Sequence, residues 1–190
     1  VPTTSFINGY ISNLRVVKGT AIYTGAFTPG TLPLQAVANT TLLTCQSGQF
    51  VDNSFNNAAV TVNGSPKVQK YSPFSITTLP TPYYSNYFNG STDYFYTTSA
   101  TALVLSGVSF TVEAWVYLTG GSGYRTFISK RSSSNAQWEI GVNASSYFYF
   151  YTSTVYATTT VVPNNSWTHV AATYDGSNLR LFVNGIVAST

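Results

Sequence analysis

The segment 109–118 (SFTVEAWVYL) constrains the fold most strongly, because its side chains alternate with a period of two residues. One set of alternate positions holds the apolar residues Phe110, Val112, Ala114 and Val116. The intervening positions hold Thr111, Glu113, Trp115 and Tyr117. Successive side chains of a β-strand point to opposite faces, so the pattern predicts a strand covered on both faces, as in a sandwich.

Two hairpin signals follow one another near the end of the chain. The segment 167–174 (WTHVAATY) precedes Asp175-Gly176, and the segment 178–183 (NLRLFV) precedes Asn184-Gly185. Asp-Gly and Asn-Gly between alternating apolar runs are the strongest short-range signals of a β-hairpin. Together with the aromatic run 147–151 (YFYFY), they predict an antiparallel meander and an all-β fold.

The composition agrees with an all-β chain and excludes several classes of function. Thr, Ser and Asn contribute 28, 23 and 15 of the 190 residues, and charged residues only 7%, against roughly 25% in ordinary soluble domains. The net charge of +3 comes from eight scattered basic residues, so we expect no nucleic acid as a partner. No apolar run approaches the roughly 18 residues of a membrane-spanning helix, so we expect no membrane insertion.

The acidic residues are too few and too scattered for a catalytic centre. No two of Asp52, Asp93, Glu113, Glu139 and Asp175 are two positions apart, whereas glycoside hydrolysis needs two carboxylates at one cleft. We interpret Glu113 as a strand carboxylate held by Arg or by backbone donors, rather than as a lone acid or base. The protein is therefore predicted not to be an enzyme.

The single histidine and the single cysteine are also interpreted as structural. No Gly-x-Ser-x-Gly elbow accompanies His169, so we expect its ring to pack against an aromatic side chain or to bond a carbonyl. Cys45 lies in the apolar segment 39–46 and is expected to be a buried thiol. One cysteine excludes an intrachain disulfide.

Several segments resemble the laminin-G-like, concanavalin-A-like jelly-roll domains. The segment 167–176, with 179–185 after it, resembles the hallmark hairpin of that family. The segments 87–90 (YFNG) and 109–118 resemble an early strand and the family's F-T-hydrophobic-E-x-W strand. The segment 9–16 (GYISNLRV) resembles its closing strand. The resemblance implies an all-β, two-sheet antiparallel jelly-roll sandwich of the concanavalin-A-like kind.

The closing strand comes first in this chain, although it comes last in the family. We therefore predict that residues 1–35 are the closing strands and connector of a sandwich, and that residues 36–190 are the main body of one, lacking its last strands. Residues 1–35 either complete their own chain, which makes the fold permuted, or complete a preceding unit while a following unit completes this one. Contacts between units would then involve Tyr10, Leu14, Val16, Phe27 and Pro29. With no methionine, the chain is expected to be an excerpt or a processed product.

The resemblance extends to tandem repeats in long structural proteins of tailed phages and aquatic bacteria. It implies a non-catalytic structural or adhesive module of an extracellular fibre or phage tail appendage, joined head to tail to copies of itself. The location would be extracellular or on a virion surface. The alternative is a carbohydrate-binding module for a surface or matrix glycan, with Tyr94, Tyr124, Tyr147 and Trp138 as its candidate exposed contacts.

Calcium is the only cofactor that the resemblance suggests, because domains of the family sometimes hold this ion at a loop rim. Asp93 and Asp52 are the candidate ligands. Neither has a neighbouring acid, so carbonyl and amide oxygens would have to complete the coordination. The other interpretation is that each Asp caps its own turn.

Overall fold

The computed structural model describes residues 5–74, 83–98, 101–132 and 135–189. Within these ranges the regular structure consists of β-strands, and no helix is long and apolar enough to cross a membrane. In chain order the strands are β1 (Asn8–Lys18), β2 (Thr40–Thr44), β3 (Val60–Asn63), β4 (Lys67–Gln69), β5 (Ser85–Asn89), β6 (Tyr94–Thr97), β7 (Phe110–Leu118), β8 (Arg125–Ser132), β9 (Asn135–Val142), β10 (Tyr147–Tyr151), β11 (Val155–Val161), β12 (Trp167–Tyr174), β13 (Leu179–Val183) and β14 (Ile186–Ser189).

Most of these strands belong to two antiparallel sheets. The large sheet has the order β14-β13-β12-β7-β1-β5-β4, and β2 pairs with the second half of β1. The small sheet has the order β11-β10-β9-β8, and β3 and β6 form a separate pair. The predicted all-β, antiparallel architecture is confirmed.

The core lies between the two sheets and is built from alternate residues of their strands. Val112, Ala114 and Val116 of β7 are fully buried in it. The rings of Phe110 on β7 and Phe150 on β10 stack with their centroids 5.2 Å apart, which brings the large and small sheets together. The alternation predicted for residues 109–118 is therefore confirmed.

Both predicted hairpins are present at the end of the chain. Strand β12 pairs with β13, and β13 pairs with β14. The second turn has positive φ angles at Asn184 (49°) and Gly185 (77°). Two such residues make the turn whose twist matches that of antiparallel strands, which is why Asn-Gly is favoured there.

Strand β1 lies in the middle of the large sheet and pairs within its own chain. It pairs with β7 on one side, and with β5 and then β2 on the other. Leu14 and Val16 are buried in the core of this chain. Both side chains project between the sheets of the same molecule, and their contact with a neighbouring unit stays a prediction. The division of the chain at residues 35 and 36 stays a prediction.

An irregular segment, residues 19–38, follows β1 and is called the strap below. It crosses the outer face of the large sheet. The Ile22 backbone N–H donates to Thr111 Oγ1 (2.8 Å), and the Phe27 N–H donates to the Gly185 carbonyl (2.9 Å). Farther along, the Leu34 N–H donates to Asn13 Oδ1 (2.8 Å).

The strap also packs through its aromatic side chains. The rings of Tyr23 and Phe27 stack with centroids 3.6 Å apart, and Phe27 packs edge-on against Phe182 of β13. Pro29 lies beside Gly185 in the same region. Phe27 and Pro29 therefore contact their own sheet, and their contact with another unit stays a prediction.

Candidate functional site

The outer face of the large sheet carries the polar and aromatic side chains that do not fit the core. The odd-numbered residues of β7 point to this face, and so do Trp167 and His169 of the neighbouring β12. The register of β7 with β12 pairs Trp115 with His169 and Tyr117 with Trp167. Two groups of side chains result, one polar and one aromatic.

The polar group is centred on Glu113, which is fully buried. Arg15 donates to Glu113 Oε1 from Nε (2.8 Å) and from Nη2 (2.5 Å). The Tyr23 hydroxyl donates to Oε2 at 2.9 Å, and His169 Nε2 lies 3.0 Å from the same oxygen. Both carboxylate oxygens are therefore engaged. The interpretation of Glu113 as a strand carboxylate held by Arg is confirmed.

Opposing effects act on the ionisation of this group. Burial raises the pKa of Glu113, but the hydrogen bonds and charges of His169 and Arg15 outweigh it and hold the pKa below its ordinary value. Burial and the neighbouring Glu113 charge raise the pKa of Tyr23, so Tyr23 remains a hydrogen-bond donor. The strap covers the polar group. The group can therefore hold the strap on the sheet, but it presents no accessible acid or base.

His169 packs edge-on against Trp115 and Phe27, with ring centroids 5.3 and 5.6 Å apart. This confirms the expected packing against aromatic side chains. The contact of His169 with Glu113 was missed, because the two residues are 56 positions apart and only the pairing of β7 with β12 brings them together.

The second group is called the aromatic cluster and consists of Tyr10, Tyr71, Tyr87, Tyr117 and Trp167. Tyr10 lies 5.0 Å from Tyr71 and from Tyr87, and Tyr71 lies 5.4 Å from Trp167, all between ring centroids. The side chain of Tyr71 is 40% exposed. The indole Nε1 of Trp167 has no hydrogen-bond partner among the described residues. Burial and the hydrogen bond with Tyr117 raise the pKa of Tyr71 to about 12. The Trp167 nitrogen is itself buried, and Tyr71 is the exposed member of the cluster.

The tyrosines predicted to contact a glycan lie on separate elements. Tyr94 begins β6 and lies near Phe6, whereas Tyr124 precedes β8 and packs edge-on against Tyr149 at 5.3 Å. Tyr147 begins β10 and is half-buried. No ring contact joins these three residues in the part of the chain that the structure describes.

Trp138 is not an exposed aromatic residue, which corrects the prediction. Its side chain is 2% exposed, and its indole Nε1 donates to the Leu103 carbonyl at 2.7 Å. The alternation of β9 turns Trp138 inward together with Ile140, and both belong to the core.

Asp52, the first of the two calcium candidates, is buried in a loop that it organises. Its Oδ1 accepts the backbone N–H groups of Leu43 (3.0 Å) and Ser54 (2.9 Å). Its Oδ2 accepts the Ser54 hydroxyl (2.9 Å) and the Ala58 N–H (3.0 Å).

Asp93 is arranged in the same way beside β6. Its Oδ1 accepts the Ser65 N–H at 2.8 Å, and its Oδ2 accepts the Asn89 N–H at 3.2 Å. Over the described ranges, no group of three or more His, Cys, Asp or Glu side chains is placed to hold a metal ion. The role of Asp52 and Asp93 as calcium ligands stays a prediction.

The remaining acids also contribute to the fold. Glu139 Oε1 accepts hydrogen bonds from the Tyr149 and Thr126 hydroxyls. Asp175 accepts the Ser177 and Asn178 N–H groups in its turn and pairs with Arg180, so its predicted turn role is confirmed. Glu113 and Glu139 lie in different sheets and do not share a cleft.

Sequence reasoning missed the aromatic cluster as a unit. Period-two alternation could have placed Tyr117 on the outer face, and the hairpin register could have placed Trp167 beside it. Tyr71 follows β4 in an irregular segment, so no periodic pattern indicated its position.

Comparison with known proteins agrees with this geometry. The sequence model described as the concanavalin A-like lectin/glucanases superfamily, of the laminin G type, matches residues 89–190. No curated protein and no solved structure matches the chain significantly. The matched segment is more than half of the chain and includes the meander β12-β13-β14 and strand β7. The protein therefore belongs to the concanavalin A-like lectin/glucanase superfamily.

Proposed function

We propose that the chain is a non-catalytic structural and adhesive module of an extracellular fibre or phage tail appendage, in which copies are joined head to tail. The observation that supports this proposal is an uncharged strand edge on one side of the sandwich. Strand β11 is the outermost strand of the small sheet, and β14 is the outermost strand of the large sheet. The two lie next to each other.

This edge, called the β11/β14 edge, is apolar as well as uncharged. Neither VYATTTV nor IVAS contains a charged residue or a proline. Its large exposed side chains are Val155, Tyr156, Val161, Ile186 and Val187. Proteins usually protect exposed strand edges with lysine, proline or a covering element, because unpaired edges recruit other chains. The exposed apolar side chains therefore favour contact with another copy.

The absence of catalysis is supported by the use of the acids. All five have hydrogen-bond or ion-pair partners within the chain, and none is presented as one of a pair at an open cleft. Domains of this superfamily of the laminin G type are typically non-catalytic binding modules.

Sedimentation velocity at low and high salt tests the proposed assembly. A contact between apolar and uncharged groups is screened little, although the Debye length falls from about 10 Å at 0.1 M salt to about 3 Å at 1 M. We expect concentration-dependent assembly that is equal in both buffers. The double variant Val161→Lys/Ile186→Lys should be monomeric, because two ammonium groups would have to be desolvated at the contact.

The control is Leu32→Lys, which places the same charge at an exposed apolar position of the strap (62% exposed). It should assemble like the wild type. A wild type that stays monomeric at all concentrations, or an assembly that dissociates at high salt, would contradict the proposal.

A carbohydrate-binding role is the second candidate, and the aromatic cluster supports it. The exposed ring of Tyr71, supported by the other four rings, can stack on a sugar. A panel of soluble glycans should then raise the melting temperature by mass action, with or without added calcium. Tyr71→Ala should abolish the shift, whereas Tyr156→Ala, at an exposed tyrosine of the β11/β14 edge outside the cluster, should keep it. No shift across the panel would leave the structural role alone.

A further inference from the structure

A cavity of about 550 Å³ lies beside the core, on the inner side of the large sheet. Its floor is apolar and includes Ile11 and Leu14 of β1, Leu42 of β2 and Phe88 of β5. Phe95 of β6 and Phe127 of β8 stand on its two sides. The cavity belongs to neither the polar group around Glu113 nor the aromatic cluster.

The sheet topology explains why the space exists. The small sheet ends at β8, and β6 belongs to the separate pair with β3. Among the described strands, none joins β6 to β8 across the inner face of the large sheet, so the covering layer that these strands form is interrupted there. The inner side chains of β1, β2 and β5 meet the cavity at that interruption.

The size of the cavity is that of a ligand site. Packed interiors contain few voids larger than a water molecule, whereas small-molecule sites usually measure roughly 300–1,000 Å³ and have mostly apolar walls. An apolar group that enters gains dispersion contacts and is removed from water. The lining thus favours a hydrocarbon chain over a polar molecule.

The charged side chains at the cavity indicate which head group such a ligand would carry. The two charged side chains among its lining residues are Asp93 and Lys130. Both Asp93 oxygens accept backbone N–H groups, as described above. Lys130 is half-exposed, and its ammonium group has no hydrogen bond or ion pair to a side chain or backbone group of the described residues. Its ammonium group is therefore the group available to an anionic head.

We propose that this cavity binds a single-chain amphiphile with an anionic head, namely a fatty acid, with its hydrocarbon chain in the cavity and its carboxylate at Lys130. This binding does not depend on the assembly or on the glycan recognition proposed above. The occupant is the free amphiphile rather than an acyl chain held in a bilayer.

Isothermal titration calorimetry with the whole chain tests the proposal. The ligands are saturated fatty acids from octanoate to myristate, each below the concentration at which it aggregates. Burial of each further methylene should tighten binding about three- to fourfold until the cavity is filled. One site per chain is expected.

Two substitutions separate the cavity from the outer surface. Leu42→Phe fills part of the cavity and should weaken the binding of the longest bound fatty acid at least tenfold. Leu32→Phe is the same change at an exposed site and should leave that binding unchanged. Lys130→Gln should weaken the binding of fatty acids roughly three- to tenfold. It should leave the binding of the alcohol of equal chain length unchanged. Lys67→Gln is the matched control on β4, because Lys67 is exposed and does not line the cavity.

Three results would overturn the proposal. The first is no saturable binding of any chain length. The second is binding that Leu42→Phe leaves unchanged, which would mean adsorption to the outer surface. The third is that the protein co-sediments with phosphatidylcholine vesicles and that Leu42→Phe leaves this co-sedimentation unchanged. That result would mean a membrane-contact surface instead. The melting temperatures of the variants show that each is folded.

Discussion

Glu113 shows how a single buried residue connects two parts of the fold. Its carboxylate lies in a central strand of the large sheet and accepts hydrogen bonds from Arg15 on the neighbouring strand and from Tyr23 on the strap. Transfer of a carboxylate from water into a protein interior is costly unless it is paired and hydrogen-bonded. The partners of Glu113 meet that requirement, and the strap is held in place as a consequence.

The lowered pKa of Glu113 predicts that acid destabilises the protein. A carboxyl whose pKa is lower in the folded chain than in the unfolded chain stabilises the fold above its ordinary value of 4.5. This stabilisation is lost as the pH falls through the lowered pKa of the folded state. Urea unfolding from pH 7 to pH 3 should therefore show a falling free energy of unfolding below about pH 4.5.

The variant Glu113→Gln tests the origin of this effect. It should lower the free energy of unfolding at pH 7 by about 3 kcal/mol, because Arg15 remains buried without its counter-charge. Its acid dependence should be flatter than that of the wild type. Asp175→Asn, at the exposed turn, should lower the free energy of unfolding at pH 7 much less. Equal acid slopes for the wild type and Glu113→Gln would show that other carboxyls cause the loss of stability.

At the scale of elements, the turn between β13 and β14 matters for more than its own hairpin. Gly185 lies so close to the strap that a Cβ atom on it would clash with the Phe27 carbonyl oxygen. The glycine therefore satisfies two requirements at once, a positive φ and a close backbone approach. Replacement by any other residue would push the strap away from the sheet.

Gly185→Ala and Gly107→Ala separate these two requirements. Both glycines have a φ near +75°, but a Cβ on Gly107 would meet no atom within 4 Å. Gly107→Ala should lower the free energy of unfolding by about 1 kcal/mol, the cost of a left-handed backbone. Gly185→Ala should lower it by about 3 kcal/mol, because a steric clash is added.

Amide hydrogen exchange tests whether Gly185→Ala acts on the strap. The Phe27 N–H, which donates to the Gly185 carbonyl, should exchange faster in Gly185→Ala and at the wild-type rate in Gly107→Ala. Equal losses of stability in the two variants would mean that the strap does not depend on this approach.

The strands and the strap differ in how well the sequence predicted them. Strands β7, β10 and β12 follow from alternating or aromatic runs, and the turns between β12, β13 and β14 follow from Asp-Gly and Asn-Gly. The strap has no period because it packs through isolated residues such as Tyr23 and Phe27. Its position across the large sheet depends on side chains about ninety residues away, such as Thr111 and Glu113.

At the scale of the whole molecule, Cys45 reports on opening of the core. Its side chain is 1% exposed and belongs to the main core cluster. Burial raises its pKa, so the thiol is protonated and unreactive in the folded state. Labelling by a thiol reagent should require unfolding, and its dependence on urea should coincide with unfolding followed by tryptophan fluorescence. Labelling well below the unfolding midpoint would instead indicate local opening of β2.

The sequence by itself determined the all-β class, the antiparallel meander and the family, because alternation and turn residues act between near neighbours in the chain. It also indicated that the acids are structural, since their number and spacing are local facts. Only the tertiary structure decided which side chains meet: Glu113 with Arg15, His169 and Tyr23, the five rings of the aromatic cluster, and the walls of the cavity. Trp138 was misjudged for the same reason. Which face of a strand is buried, and by which segment, depends on strand register and on packing between residues that are far apart in sequence.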